Sequence, residues 1–144
     1  MPIRVWWHDE ARTILRSEWA GALTLEEFTA ADIQVRGMIQ SVSHHVCGII
    51  DWSQMHLIPA NWPAILTDSR DRFPPQLLRI AIVRGGLAWE TVELFNRDHA
   101  AGSDLLRSFY RLCGTVDEAL ALIKSPEAWS RPQSPPALSS VRSG

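Results

Sequence analysis

Lysine is nearly absent from this chain of 144 residues. Lys124 is the only one, so arginine carries almost all of the positive charge, and the formal net charge is −2. Chemistry that needs a lysine inside the folded body, such as a Schiff base or a phosphate-loop lysine, is therefore excluded. A charge balance this close to zero also gives no electrostatic case for binding nucleic acid.

Cysteine is scarce and long apolar runs are missing. Cys47 and Cys113 lie far apart in the apolar contexts Val-Cys-Gly and Leu-Cys-Gly, which predicts two buried free thiols. No segment reaches the roughly 18 apolar residues of a membrane span, and the first ten residues contain no long apolar stretch with a cleavage site. The predicted location is therefore the cytoplasm, with no membrane span.

The histidines do not form a metal-binding pattern. His8, His56 and His99 are isolated, and the adjacent pair His44 and His45 would point to opposite faces of a strand. Because no close Cys, His, Asp or Glu spacing typical of zinc is present, we expect neither a metal nor another cofactor.

The first twenty residues have the period of β-structure. Ile3, Val5 and Trp7 alternate with Arg4 and more polar neighbours, and "RTILRSEW" follows after the short link "DEA". Two strands joined so closely predict an antiparallel hairpin. Trp6 and Trp7 should then face opposite sides of the sheet.

Helices and strands alternate over the rest of the body. Capping-box spacing at Thr24 and Glu27 begins a helix predicted over 25–41, and the same spacing recurs at Thr115 and Glu118. Further strands are predicted at "HVCGIID", at "LLRIAIVR" and within "DLLRSFYRL", and further helices at 62–73, 87–100 and 116–124.

This order of elements predicts one α/β domain over residues 1–124. Parallel strands joined by helices, preceded by the hairpin, give a mixed sheet of four to five strands with flanking helices. Proline and serine dominate residues 125–144, so this segment is predicted to be a flexible tail.

Asp51 is the strongest candidate for a functional carboxylate. It follows the apolar run "VCGII", and ligands bind open α/β sheets at the carboxyl ends of strands. The alternative is that its side chain caps the following turn. Ser53 lacks the G-x-S-x-G context of a hydrolase nucleophile. Seven tryptophans also exceed what one core of this size accommodates, which favours some tryptophan surface at a partner, a ligand or the tail.

The segments "VCGIIDWSQMHLIP", "LLRIAIVR" and "RSFYRLCGTVDEALALI" resemble the STAS-like family, which includes bacterial anti-sigma-factor antagonists. The resemblance covers about residues 3–124 and implies a mixed sheet flanked by helices and a non-catalytic regulatory role. Asp51 and Ser53 are similar to that family's strand-end pair. The family's phosphorylated serine would fall on Asn61, within Pro59-Ala60-Asn61-Trp62, so a kinase-driven switch is not expected at that position.

The leading functional prediction is a non-catalytic regulatory or protein–protein interaction module in bacterial signalling, with a protein partner or self-association as a homodimer. One alternative is a carrier of a small apolar ligand or lipid, and a second is a small hydrolase that uses Asp51 with a nearby histidine. The predicted binding surface comprises Asp51, Trp52, Ser53, His56, Asn61 and Trp62.

Overall fold

The computed structural model describes residues 3–21, 24–55, 71–84 and 109–125. Its elements, in chain order, are β1 (Ile3–Trp7), β2 (Ile14–Gly21), α1 (Leu25–Gln40), β3 (Val46–Met55), β4 (Leu77–Val83), β5 (Tyr110–Cys113) and α2 (Val116–Lys124). The five strands form one sheet in the order β1-β2-β3-β4-β5. β1 pairs antiparallel with β2, and every other pair is parallel. The mixed α/β fold with an amino-terminal hairpin is therefore confirmed.

The hairpin turn is organised by Asp9. Its Oδ1 accepts hydrogen bonds from the backbone N–H groups of Thr13, over 2.9 Å, and Ile14, over 3.1 Å, and its Oδ2 accepts from the Thr13 hydroxyl. Arg12 adopts a left-handed backbone conformation in this turn, with φ of 58°. The carboxylate thus satisfies donors where β2 begins, which fixes the register Trp7 opposite Leu15.

Both described helices begin as the capping pattern predicts. Thr24 accepts from the Glu27 N–H, and the Glu27 carboxylate accepts from the Thr24 N–H, a complete capping box. At α2, Thr115 accepts from the Glu118 N–H, but the Glu118 carboxylate accepts from Gly114 instead, over 2.8 Å. Neither helix in the described ranges is long and apolar enough to cross a membrane.

The sheet has two differently covered faces. α1 packs on one face over the larger core cluster, which includes Trp19, Phe28, Ile39 and Tyr110. α2 packs on the other face, mainly over β3, β4 and β5. Trp7 packs against the α1-side core, whereas Trp6 lies on the opposite face of the sheet beside Arg16. Strand alternation predicts this difference.

Several element boundaries differ from the predictions. β3 does not end at Asp51 but continues to Met55. β5 begins within "DLLRSFYRL", as predicted, and runs one residue beyond that segment to Cys113. Of the helix predicted over 62–73, residues 62–70 lie outside the described residues, Asp71 and Arg72 are helical, and Phe73 is not. The predicted helix over 87–100 and the tail after Ser125 lie outside the described residues.

Candidate functional site

One row of residues crosses all five strands on the α2 side of the sheet. The pairing register places Arg4, Glu18, Asp51, Val83 and Cys113 side by side. Asp51 therefore lies in the middle of the row, with Glu18 as its neighbour on β2. This row contains the carboxylate that the sequence singled out, and its contacts decide what that carboxylate can do.

Asp51 marks the point where β3 changes partners. Its pairing with Val83 is the last between β3 and β4, whereas β3 continues beside β2 as far as Met55 opposite Gly21. The prediction that a loop begins directly after Asp51 is therefore wrong.

A β-bulge follows Asp51. Glu18 pairs with Asp51 and Ala20 with Gln54, so Trp19 on β2 faces two residues, Trp52 and Ser53, on β3. Because side chains alternate along a strand, an extra residue shifts every later side chain to the other face. Trp52 and Met55 consequently both reach the α1-side core, although a regular strand would send them to opposite sides.

The Asp51 carboxylate stabilises this bulge. The side chain is buried, with 7% of its surface exposed, and Oδ1 accepts a hydrogen bond from the Ser53 N–H over 2.9 Å. A bulge leaves a backbone donor outside the regular ladder, and a side-chain acceptor compensates for it. This contact supports the alternative that the Asp51 side chain caps the backbone that follows it. The capped N–H belongs to a bulge within β3 and not to a turn after the strand.

The tryptophan that follows is a core residue. Trp52 is 2% exposed, and its ring centroid lies 5.9 Å from that of Trp19. Trp19 in turn makes an edge-to-face contact with Phe28 over 5.5 Å, and its indole N–H donates to Ser17. Of the six residues predicted to bind a partner, Asp51 and Trp52 are buried and Ser53 is exposed. His56, Asn61 and Trp62 lie outside the described residues.

Both thiols are free, as predicted, but only Cys113 is buried, whereas Cys47 is half-buried. Burial raises the pKa of Cys113 to about 12, with the negative charges of Glu118 and Asp51 adding to the effect and Arg84 opposing it. Burial also raises the pKa of Cys47, against the opposing charge and hydrogen bond of Arg79. A thiol that is protonated at neutral pH is a poor nucleophile, so neither cysteine is activated for covalent catalysis.

The described residues also include no group of three or more His, Cys, Asp or Glu side chains placed to hold a metal ion. An apolar cavity of about 50 Å³ lies between α1 and the sheet, with Ser17 and Asp32 among its polar neighbours. A cavity needs roughly 150 Å³ to take up a molecule as small as benzene. A lipid could therefore enter this space only if α1 moved.

Asp32 is a buried carboxylate that the sequence pattern did not single out. It lies on the sheet-facing side of α1 and is 6% exposed. Its Oδ2 contacts Arg72 Nε over 3.1 Å and Nη2 over 3.0 Å, and Arg36 Nε lies 3.6 Å away. Arg36 at the i+4 position is visible in the sequence, but Arg72 is 40 residues away and is not.

A second polar surface lies on the hairpin, and we call it the hairpin face: Arg4, Trp6, Arg16 and Glu18. The guanidinium carbons of Arg4 and Arg16 lie 5.2 and 4.9 Å from the centroid of the Trp6 ring. Arg4 also pairs with Glu18 over 2.7 Å. Alternation along the two strands is the sequence signal that places these four side chains on one face.

The two described helices pack mainly on parts of the sheet other than the hairpin face. α1 packs against the opposite face, and α2 packs mainly over β3, β4 and β5. Trp6 therefore stays half-exposed, and the Nε atom of Arg16 is buried with no hydrogen-bond partner among the described residues. Tryptophan and arginine are the residue types most enriched at the energetic centres of protein interfaces.

No protein-family model matches this chain, and no curated protein matches it in sequence. The similarity to the STAS-like family thus rests on the sequence motifs alone and stays a prediction.

Proposed function

We propose that this chain is a non-catalytic, regulatory protein-interaction module that acts in the bacterial cytoplasm. The observation that carries the proposal is the state of Asp51. Its carboxylate is buried and binds a backbone N–H within its own strand. A general base must instead reach a proton on the substrate.

The neighbours of Asp51 give the same indication. Glu18, beside it on β2, is held by Arg4 over 2.7 Å, and the Cys113 thiol is protonated at neutral pH because its pKa is raised to about 12. Each titratable group in the row is therefore engaged in a structural contact or is in an unreactive form. The resemblance to anti-sigma-factor antagonists supports a regulatory role for a chain of this kind.

We further propose that the hairpin face is the contacting surface and that a second copy of the chain is its partner. The face combines two guanidinium groups, one carboxylate and an aromatic ring. Two copies related by a two-fold axis would bring Glu18 of each copy toward Arg16 of the other, and the Glu18 carboxylate can accept from that guanidinium while it stays paired with its own Arg4. Burial of Trp6 would add apolar contact at the centre.

The proposal is tested by measuring molar mass over a concentration series with light scattering. The wild type is expected to show a concentration-dependent dimer, and the double variant Trp6→Ala, Arg16→Ala is expected to stay a monomer. Ile33→Ala, which removes an exposed apolar side chain from α1, is the matched control and should behave as the wild type. Equal masses for the wild type and the double variant would contradict the assignment of the hairpin face.

The non-catalytic part is tested separately with generic ester and phosphate-ester substrates. No turnover above background is expected. Turnover by the wild type that disappears in Asp51→Asn would instead support the hydrolase alternative. A carrier that holds a lipid between α1 and the sheet receives less support, because the cavity there is only about 50 Å³.

A further inference from the structure

A cleft of about 420 Å³ opens on the α2 side of the sheet, at the amino ends of the parallel strands. It is bounded by the hairpin turn, the starts of β2 and β3, and the last turns of α2. This is the end of the sheet opposite to Asp51, and the described residues of the predicted binding surface, Asp51, Trp52 and Ser53, do not line it. Its volume is within the range of roughly 300 to 1,000 Å³ that small-molecule sites occupy.

One wall of the cleft is apolar. Ile14 from β2 meets Leu120 and Ile123 from α2, and Leu78 adds a side chain that is 41% exposed. These four side chains belong to three separate elements, so the apolar wall exists only in the folded chain. It is suited to the hydrocarbon part of a ligand, because apolar surface gains free energy when it leaves water.

The polar rim of the cleft contains hydrogen-bond donors that an anion could use. Lys124 lines the cleft at the end of α2, and the imidazoles of His8 and His45 line it from the hairpin and from the start of β3. A lysine ammonium and an imidazole N–H are both hydrogen-bond donors to a carboxylate. Lys124 is also the only lysine in the chain.

Asp9 is the one carboxylate among the described lining residues, and both of its oxygens accept hydrogen bonds from the hairpin turn. Burial favours its neutral form, yet hydrogen bonds from Thr13 and Ile14 outweigh that effect and hold the pKa of Asp9 below its ordinary value. Both oxygens of Asp9 accept hydrogen bonds from these two residues. These hydrogen bonds hold the Asp9 carboxylate in the hairpin turn.

Two hydrogen bonds join the hairpin turn to the chain around the start of β3 on one side of the cleft. The His44 ring bonds to the Arg12 carbonyl oxygen over 2.8 Å, and the Cys47 N–H donates to the Thr13 carbonyl over 3.0 Å. These contacts join the segment before β3 to the hairpin turn across 32 and 34 positions of the chain. A preformed site loses less conformational freedom on binding than a mobile one.

We propose that this cleft binds a small organic carboxylate with an apolar alkyl or aryl body. The apolar body contacts Leu120 and Ile123, and the carboxylate contacts Lys124 with His8 and His45 beside it. This inference goes beyond the proposed interaction function and involves no residue of the hairpin face.

The test uses the full chain and two matched probes, phenylbutyrate and its neutral amide phenylbutyramide. Two-dimensional amide NMR is expected to show saturable shifts at Thr13, Cys47 and Ile123 with the carboxylate. The amide should bind more weakly, because it lacks the charge that Lys124 attracts. The first variant, Lys124→Met, keeps the apolar stem and removes the charge, and Lys124→Arg restores the charge.

We expect Lys124→Met to weaken phenylbutyrate binding by about threefold to fivefold, the range of an exposed ion pair, and Lys124→Arg to bind nearly as the wild type does. Phenylbutyramide affinity should be the same in all three proteins. The proposal is overturned if the full chain shows no shifts at roughly 10 mM phenylbutyrate. It is also overturned if the two probes bind equally, or if Lys124→Met leaves their ratio unchanged.

Discussion

The Ser53 N–H donates to Asp51 Oδ1 over 2.9 Å, so a side-chain-to-backbone hydrogen bond joins the two residues that resemble the strand-end pair of the STAS-like family. The contact lies at the bulge where β3 loses its pairing with β4 and continues beside β2. It holds Trp52 in the core and leaves Ser53 on the surface. Substitutions at this site and at three others should change the free energy of unfolding by measurable amounts.

Replacing Asp51 should destabilise the fold through the bulge. Asp51→Ala leaves the Ser53 N–H without its acceptor, and we expect a loss of about 1 to 3 kcal/mol in the free energy of unfolding. Asp51→Asn keeps a side-chain oxygen at the same place and should lose less than half as much. Urea denaturation measures both variants. Equal stability of Asp51→Ala and the wild type would show that the hydrogen bond contributes nothing.

The two tryptophans Trp52 and Trp6 should respond differently to truncation. Trp52 is 2% exposed, so Trp52→Ala creates a large cavity beside Trp19, and a loss of about 3 to 5 kcal/mol is expected. Trp6 is half-exposed and contacts two guanidinium groups, so Trp6→Ala should cost about 1 kcal/mol. Chemical denaturation of both variants measures the two losses in the free energy of unfolding. A larger loss for Trp6→Ala than for Trp52→Ala would contradict this prediction.

The two arginines beside Asp32 should also differ in their contribution. Arg72 makes two contacts with Asp32 Oδ2, at 3.0 and 3.1 Å, whereas Arg36 Nε lies 3.6 Å away. We expect Arg72→Ala to lower the free energy of unfolding by about 1 to 3 kcal/mol and Arg36→Ala by less than about 1 kcal/mol. In Asp32→Asn the effect of Arg72→Ala should shrink, and additive effects would show that the pair is not coupled.

Alkaline pH should weaken the fold through Cys113. Its pKa is raised from 9.0 to about 12, so the folded state retains the thiol proton over a range in which the unfolded chain has released it. This contribution to stability is complete below about pH 9 and is lost as the pH rises through about 12.

The control is Cys113→Ala, because every other group titrates equally in both proteins. The stability advantage of the wild type over Cys113→Ala should narrow steadily between these two pH values. A constant difference would mean that the pKa of Cys113 is not raised. Native Cys113 should correspondingly resist alkylation at neutral pH and react once the chain is unfolded.

Local patterns explain how much of this fold could be predicted. Alternation at Ile3, Val5 and Trp7 predicts the first strand, and Thr24 with Glu27 predicts where α1 begins, because strand alternation and capping boxes depend on residues a few positions apart. The mixed sheet then follows from the order of elements. Long-range contacts are different: the Gln76 amide donates to the Val42 carbonyl over 2.7 Å at the end of α1, and no local pattern indicates this contact.

Local periodicity, capping and composition are enough to predict the mixed α/β architecture, the hairpin and the two free thiols. The contacts of Asp51 depend instead on how strands that are distant in the chain pair with one another. Its position after an apolar run is compatible with a ligand site or a structural cap, and the bulge between β2 and β3 with the Ser53 hydrogen bond supports the cap. The hairpin face and the cleft beside Lys124 likewise depend on strands and helices that meet across the chain. Such contacts are set by packing between segments that are far apart in the chain, and a local sequence pattern does not indicate them.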